Sequence, residues 1–154
     1  MPLNVRRVVT GHDERGRAVV AIDELCSNVI SRRAQHASCV IWSTGTFPAD
    51  NADPQDGAAR ELGTTDPGGT VFRVVQYDPG VAPRNHRTES IDYAAVLSGE
   101  IDMELDGATA HLRAGDVLVQ RGTMHNWVNR GTQPCVIAFV LVAAKPIERL
   151  GAVG

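Results

Sequence analysis

Blocks of basic residues, closely spaced cysteines and apolar stretches of membrane length are missing from this 154-residue sequence, and helix signals are scarce. Each absence removes a class of function. The 15 Lys and Arg residues are scattered among 18 Asp and Glu, for a net charge of -3, so no electrostatic footprint for nucleic acid or an anionic membrane is present. The three cysteines, Cys26, Cys39 and Cys135, are odd in number and far apart. That fits reduced thiols packed in a core better than a disulfide framework or zinc knuckle. The longest apolar run, Cys135 to Ala144, is about half of what a membrane helix needs and reads as a strand buried on both faces. Arg6-Arg7 is followed by Val8-Val9-Thr10-Gly11-His12-Asp13 without the apolar stretch of a secretory signal, so a cytoplasmic protein is expected. The length suits one domain and leaves no room for a second catalytic one.

What the sequence has is many short strand signals divided by turn residues, the pattern of an all-β sandwich or barrel. Val5–Thr10 and Arg17–Ile22 flank a turn at residues 11–16, which predicts a hairpin. Val40–Trp42, Val71–Tyr77, Tyr93–Leu97, Val117–Gln120, Trp127–Asn129 and Val136–Val142 are further strand candidates. Ile101, Met103 and Leu105 alternate with Asp102 and Glu104, and Asp106-Gly107 then supplies the residues of a type I′ turn before Ala108–Leu112. Residues 48–69 are rich in Pro, Asp and Gly, so an exposed loop is expected, with one helical turn near Ala58–Leu62. Residues 1–69 therefore read as N-terminal strands and a loop packing on a barrel of residues 70–146, all within one structural domain.

Gly80 is followed after five residues by His86, then by Thr88, Asp92 and, six residues further, Gly99; beyond the Asp106-Gly107 hairpin come Gly115, Gln120, Gly122, His125 and Asn129. These runs, over residues 70–144, resemble the two motifs of the cupin family: Gly, five residues, His, one, His, three or four, Glu, six, Gly; then Gly, five, Pro, one, Gly, two, His, three, Asn. The string from Gln120 to Trp127 looks like a subgroup of small bacterial cupins. The resemblance implies a single-domain jelly-roll antiparallel β-barrel and a homodimer in which the N-terminal strands cover a partner's sheet edge. It also implies a divalent metal, Fe, Mn or Zn, on His86, Asp92 and His125. Thr88 stands where the family has its second histidine, and Asp92 is one methylene shorter than the family's glutamate.

Alternation supports a shared inward face for His86 and Thr88, and another for His125, Trp127 and Asn129. Thr88, Gln120 and Trp127 are the expected pocket residues. Bland readings stand beside these. Asp92 can cap a turn, Trp127 can fill core, Asn129 can bond backbone, and the motif glycines can simply form turns. His12, His36 and His111 match no motif position and are taken as non-functional. Two functions follow: a metal-dependent enzyme acting on a small aromatic, polyketide-like or keto acid substrate by oxygenation, decarboxylation, dehydration or isomerisation, or a metal-free small-molecule-binding cupin. Thr88 favours the second, and His86, Asp92 and His125 together favour the first.

Overall fold

The computed structural model describes residues 2–150. Its strands are β1 (Arg6–His12), β2 (Ala18–Leu25), β3 (His36–Ser43), β4 (Thr70–Tyr77), β5 (Ser90–Ser98), β6 (Glu100–Glu104), β7 (Thr109–Arg113), β8 (Val117–Arg121), β9 (Asn126–Val128) and β10 (Cys135–Ala143), followed by a 3-10 turn at Glu148–Leu150. β1 and β2 form the expected N-terminal hairpin. The remaining strands make a five-stranded sheet in the order β3-β4-β10-β5-β8 and a three-stranded sheet in the order β7-β6-β9. All strand pairing is antiparallel. The fold is a jelly-roll barrel. The sheet starts before residue 70, because β3 pairs along β4 from His36↔Tyr77 to Ser43↔Val71.

Period-two alternation decides which side chains line the interior. On β5, Asp92, Ala94 and Val96 are buried while Tyr93 and Leu97 face water. On β10, Cys135, Ile137, Phe139 and Leu141 are buried and the intervening residues are half-buried. Expected burial of this strand on both faces is thus complete on one face and partial on the other. The two sheets meet over one core, to which the larger contributes Val71, Val75, Ile137 and Phe139 and the smaller Ile101, Met103 and Trp127. Burying each such side chain contributes about 1.5–3 kcal/mol. A second, smaller cluster of Leu3, Cys39 and Val74 covers the outer face of β3 and β4.

Two local expectations are corrected. β6 and β7 do pair as a hairpin, ending at Glu104↔Thr109, but Gly107 is not among the residues with left-handed φ. The turn closes through Leu105 N–H to Ala108 C=O at 2.8 Å, without the positive φ that a type I′ turn imposes. The helical turn near Ala58–Leu62 is also absent. There the loop is instead pulled onto the sheet: Ser43 donates to Gly57 C=O at 2.6 Å, and Arg60 pairs with Asp66 at 2.6 Å. A Cβ on Gly57 would stand 2.5 Å from Ser43 O, so the loop meets the sheet at a distance only glycine allows.

Candidate active site

His86 and His125 lie outside the regular strands and face each other across an isolated antiparallel bridge. His86 N–H donates to His125 C=O at 3.0 Å and His125 N–H donates to His86 C=O at 2.9 Å. Directly opposed residues of an antiparallel pair project to the same side. Their rings accordingly sit 4.5 Å apart, centroid to centroid. The motif spacing has become a contact between two imidazoles.

Both rings line a cavity of about 70 Å³ inside the barrel, together with Thr88, Asp92, Gln120 and Trp127. Asp92 and Gln120 are cross-strand partners on β5 and β8, so their side chains share the inward face. Tyr77 stacks on Trp127 at 5.7 Å, and Phe139 meets the indole edge-on at 5.8 Å. These rings form the apolar wall.

The electrostatics keep the imidazoles neutral. Burial, with the positive neighbours His125 and Arg84, lowers the pKa of His86 to about 4, and burial also lowers that of His125. His125 Nδ1 is 2.9 Å from Thr123 O and His86 Nδ1 is 3.3 Å from Arg84 O. A carbonyl only accepts, so each Nδ1 carries the proton and each Nε2 keeps a lone pair. Burial raises the pKa of Asp92, against the lowering effect of Ser90, whose hydroxyl donates to its Oδ1 at 2.6 Å. Since the Ser90 proton is used there, Thr88 donates to Ser90, their oxygens being 2.8 Å apart.

Comparison with known proteins places the chain. Residues 73–142 match the Cupin_2 family of cupin domains. The chain is 41% identical over 153 residues to "Phomopsin biosynthesis cluster protein C'" of Diaporthe leptostromiformis, covering 92% of this chain and 80% of that protein. The chain belongs to the cupin family. It is 36% identical over 146 residues to the "Cupin-domain-containing oxidoreductase fogC" of Aspergillus ruber, covering 90% of this chain and 72% of that cupin. The polyketide cyclase RemF from Streptomyces resistomycificus shares the fold, with a TM-score of 0.53 at 18% identity over 95% of this chain and 82% of its own. The relatives named in full are fungal, so the expected bacterial subgroup finds no support.

Of the residues expected to hold a metal in this cupin, His86 and His125 are brought together, while Asp92 lies in the same cavity but is engaged by Ser90. Among the described residues, no three His, Cys, Asp or Glu side chains converge as a group that could hold a metal ion. Two neutral imidazoles suit a metal. The donor set still falls short of the three-ligand site that the family spacing implies.

Sequence reasoning missed several cavity residues. His36, taken as non-functional, is a buried lining residue in edge contact with Tyr77 at 5.7 Å, and its Nδ1 has no partner. Burial and the nearby arginines lower its pKa to about 4. Arg32, Arg33, Arg73 and Arg84 also line the cavity. Arg73 carried a legible signal, since it shares the inward register of Val71, Val75 and Tyr77 on β4. The other three lie in connecting segments that pattern alone does not aim. Asn129 holds Tyr77 C=O and Gln133 C=O at 2.9 Å each, which is the structural role expected of it.

Proposed function

We propose that the chain is a small-molecule-processing enzyme that binds an organic substrate in the His86–His125 cavity and works on it by proton transfer. The observation that carries this reading is the pair of neutral imidazoles, each with a free Nε2 lone pair, in one cavity with buried donors that lack partners, Arg73 Nε and Gln120 Nε2. A neutral imidazole can take a proton from carbon beside a carbonyl, and a fixed donor stabilises the oxyanion that then develops. Relatives named as oxidoreductases and biosynthesis cluster proteins support a role on small molecules.

One observation favours a second reading, in which a divalent metal is bound. Both Nδ1 atoms are oriented by backbone carbonyls, an arrangement common behind metal-ligating histidines. His86 and His125 would then hold the ion, with Asp92 joining only if it gave up Ser90. Elemental analysis of untagged protein and an NMR screen in D2O of hydroxylated aromatic ketones and β-keto acids separate the two. Deuterium incorporation by chelator-treated wild type, lost in folded His86→Gln and His125→Gln, supports proton transfer. Incorporation only after Fe, Mn or Zn is added overturns the metal-free form.

A further inference from the structure

Resting on the reading of this cavity as a substrate site, we propose that the ligand carries a carboxylate, received by Arg73 and Gln120 beneath a rim of three further arginines. The charge around the cavity is lopsided. Its lining holds Arg32, Arg33, Arg73 and Arg84 against a single carboxylate, Asp92, in a chain whose net charge is -3. Arg6, Arg7, Arg17, Arg60, Arg113 and Arg130 each pair with an acidic side chain. Among the described residues, none of the four cavity arginines makes such a pair.

Arg73 is the decisive member. It is 8% exposed, uses one terminal nitrogen on Gly63 C=O at 3.0 Å and, among the described residues, leaves Nε without a partner. Its position on β4, opposite Phe139 of β10, puts it inside the barrel rather than at the mouth. Gln120, 3% exposed, finds no partner among the described residues for either its amide nitrogen or its amide oxygen. A buried donor or acceptor left unmet is destabilising, and an uncompensated guanidinium more so. Burial lowers the Arg73 pKa to about 10, which leaves it charged at neutral pH.

An anion in the cavity satisfies these groups together. A carboxylate oxygen accepts from Arg73 Nε and the Gln120 amide N–H, and the Gln120 oxygen is free for a hydroxyl on the same ligand. Asp92 acts on Arg73 only through space and does not substitute for such an anion, because its carboxylate is held by Ser90 and makes no ion pair with Arg73 among the described residues. The Tyr77, Trp127 and Phe139 wall fits a flat, unsaturated body behind the carboxylate.

Titration calorimetry on the untagged full chain, with benzoate and its neutral isostere benzamide as probes, tests the assignment. Benzoate should bind at least about tenfold more tightly than benzamide, and Arg73→Met should remove most of that difference. Gln120→Leu, with a native circular dichroism spectrum, should weaken benzoate several-fold and serves as the deciding variant if Arg73→Met fails to fold. Equal affinities for the two probes, wild-type benzoate affinity in the deciding variant, or Arg73-dependent binding of inorganic phosphate without benzoate would each overturn the proposal. Binding is read without turnover, so benzoate binding survives if proton transfer fails. Histidine-dependent exchange on neutral ketones with no benzoate binding would sink the carboxylate alone.

Discussion

Gly99→Ala is expected to be among the most damaging single-methyl additions in this fold, although the residue is exposed. Gly99 joins β5 to β6 at φ +75°, and a Cβ there would lie 2.3 Å from Pro134 O, 2.9 Å from Cys135 Cα and 3.1 Å from the Pro134 carbonyl carbon. All three atoms are backbone, and Cys135 is fully buried at the start of the central strand β10. No side chain can swing aside to make room. The left-handed backbone costs an L-residue about 1 kcal/mol, and moving the turn off β10 loosens the core around Ile101, at the ~1–3 kcal/mol typical of overpacking. The total, roughly 2–4 kcal/mol, lowers the melting temperature of a chain this long by roughly 5–15 °C. Gly107→Ala is the control: nothing lies within 4 Å of its Cβ and its φ is not left-handed, so a change within about 0.5 kcal/mol is expected. Thermal and urea unfolding followed by circular dichroism measure both. Equal melting temperatures would refute the close approach of the β5–β6 turn to β10.

Acid should destabilise the protein as pH falls from about 6.5 toward 4. His36 and His86 bind a proton in the unfolded chain across that window but stay neutral when folded, and Asp92, shifted upward by burial, opposes them only in part. For well-buried His36 the loss is on the order of 3 kcal/mol at pH 4, and urea titrations of wild type and His36→Phe should diverge there; parallel curves would remove His36 as a source. Arg7→Met should cost roughly 1–3 kcal/mol and expose β1 and β2 to protease, because buried Arg7 holds Asp56 at 2.7 and 2.8 Å and Glu24 at 2.7 Å. Protease resistance equal to wild type would count against that anchor. A homodimer is proposed, since β2 is exposed at nearly every position and an isolated two-stranded hairpin is marginal; light scattering should give twice the 16.5 kDa chain mass, and a monomer at high concentration would exclude it. Thr88→His should raise Zn uptake above wild type in elemental analysis, because Thr88 lines the cavity beside His86; unchanged uptake would contradict their shared access.

Each strand had a counterpart in the alternation and turn residues, although only Val40–Trp42 of β3 (His36–Ser43) was legible, and the turn glycines Gly80, Gly99, Gly115 and Gly122 all take positive φ. Asp106-Gly107 misled because a dipeptide preference says nothing of how the hairpin's hydrogen bonds close. The cavity wall on β3 misled for a different reason. His36 and Ser38 alternate with Ala37 and Cys39, and polar residues on one face of a strand ordinarily mean solvent. Here that face meets the cavity, while Cys39 is covered by Leu3 and Val74. Alternation identifies two faces, but a polar interior and water look alike to it. The same limit hid Arg32, Arg33 and Arg84, whose segments are placed by backbone bonds such as Ala82 N–H to Ala34 C=O at 3.1 Å.

The substitution at Thr88 bears on the sign of the cavity's potential as well as on its donor count. With threonine, a chain of hydrogen bonds runs from Thr88 through Ser90 into Asp92 and satisfies that carboxylate internally. Its negative charge is then the only acidic contribution to the lining among the described residues, and burial works against it. Four guanidinium groups against one disfavoured carboxylate make a field that attracts an anion and opposes a dication, most strongly where water is excluded. That field helps hold the imidazoles neutral, since Arg84 lowers the pKa values of both His86 and His125. Neutral histidines serve a metal site and a proton-transfer site equally well. The arginines do not, because a field this positive favours a ligand that brings its own negative charge.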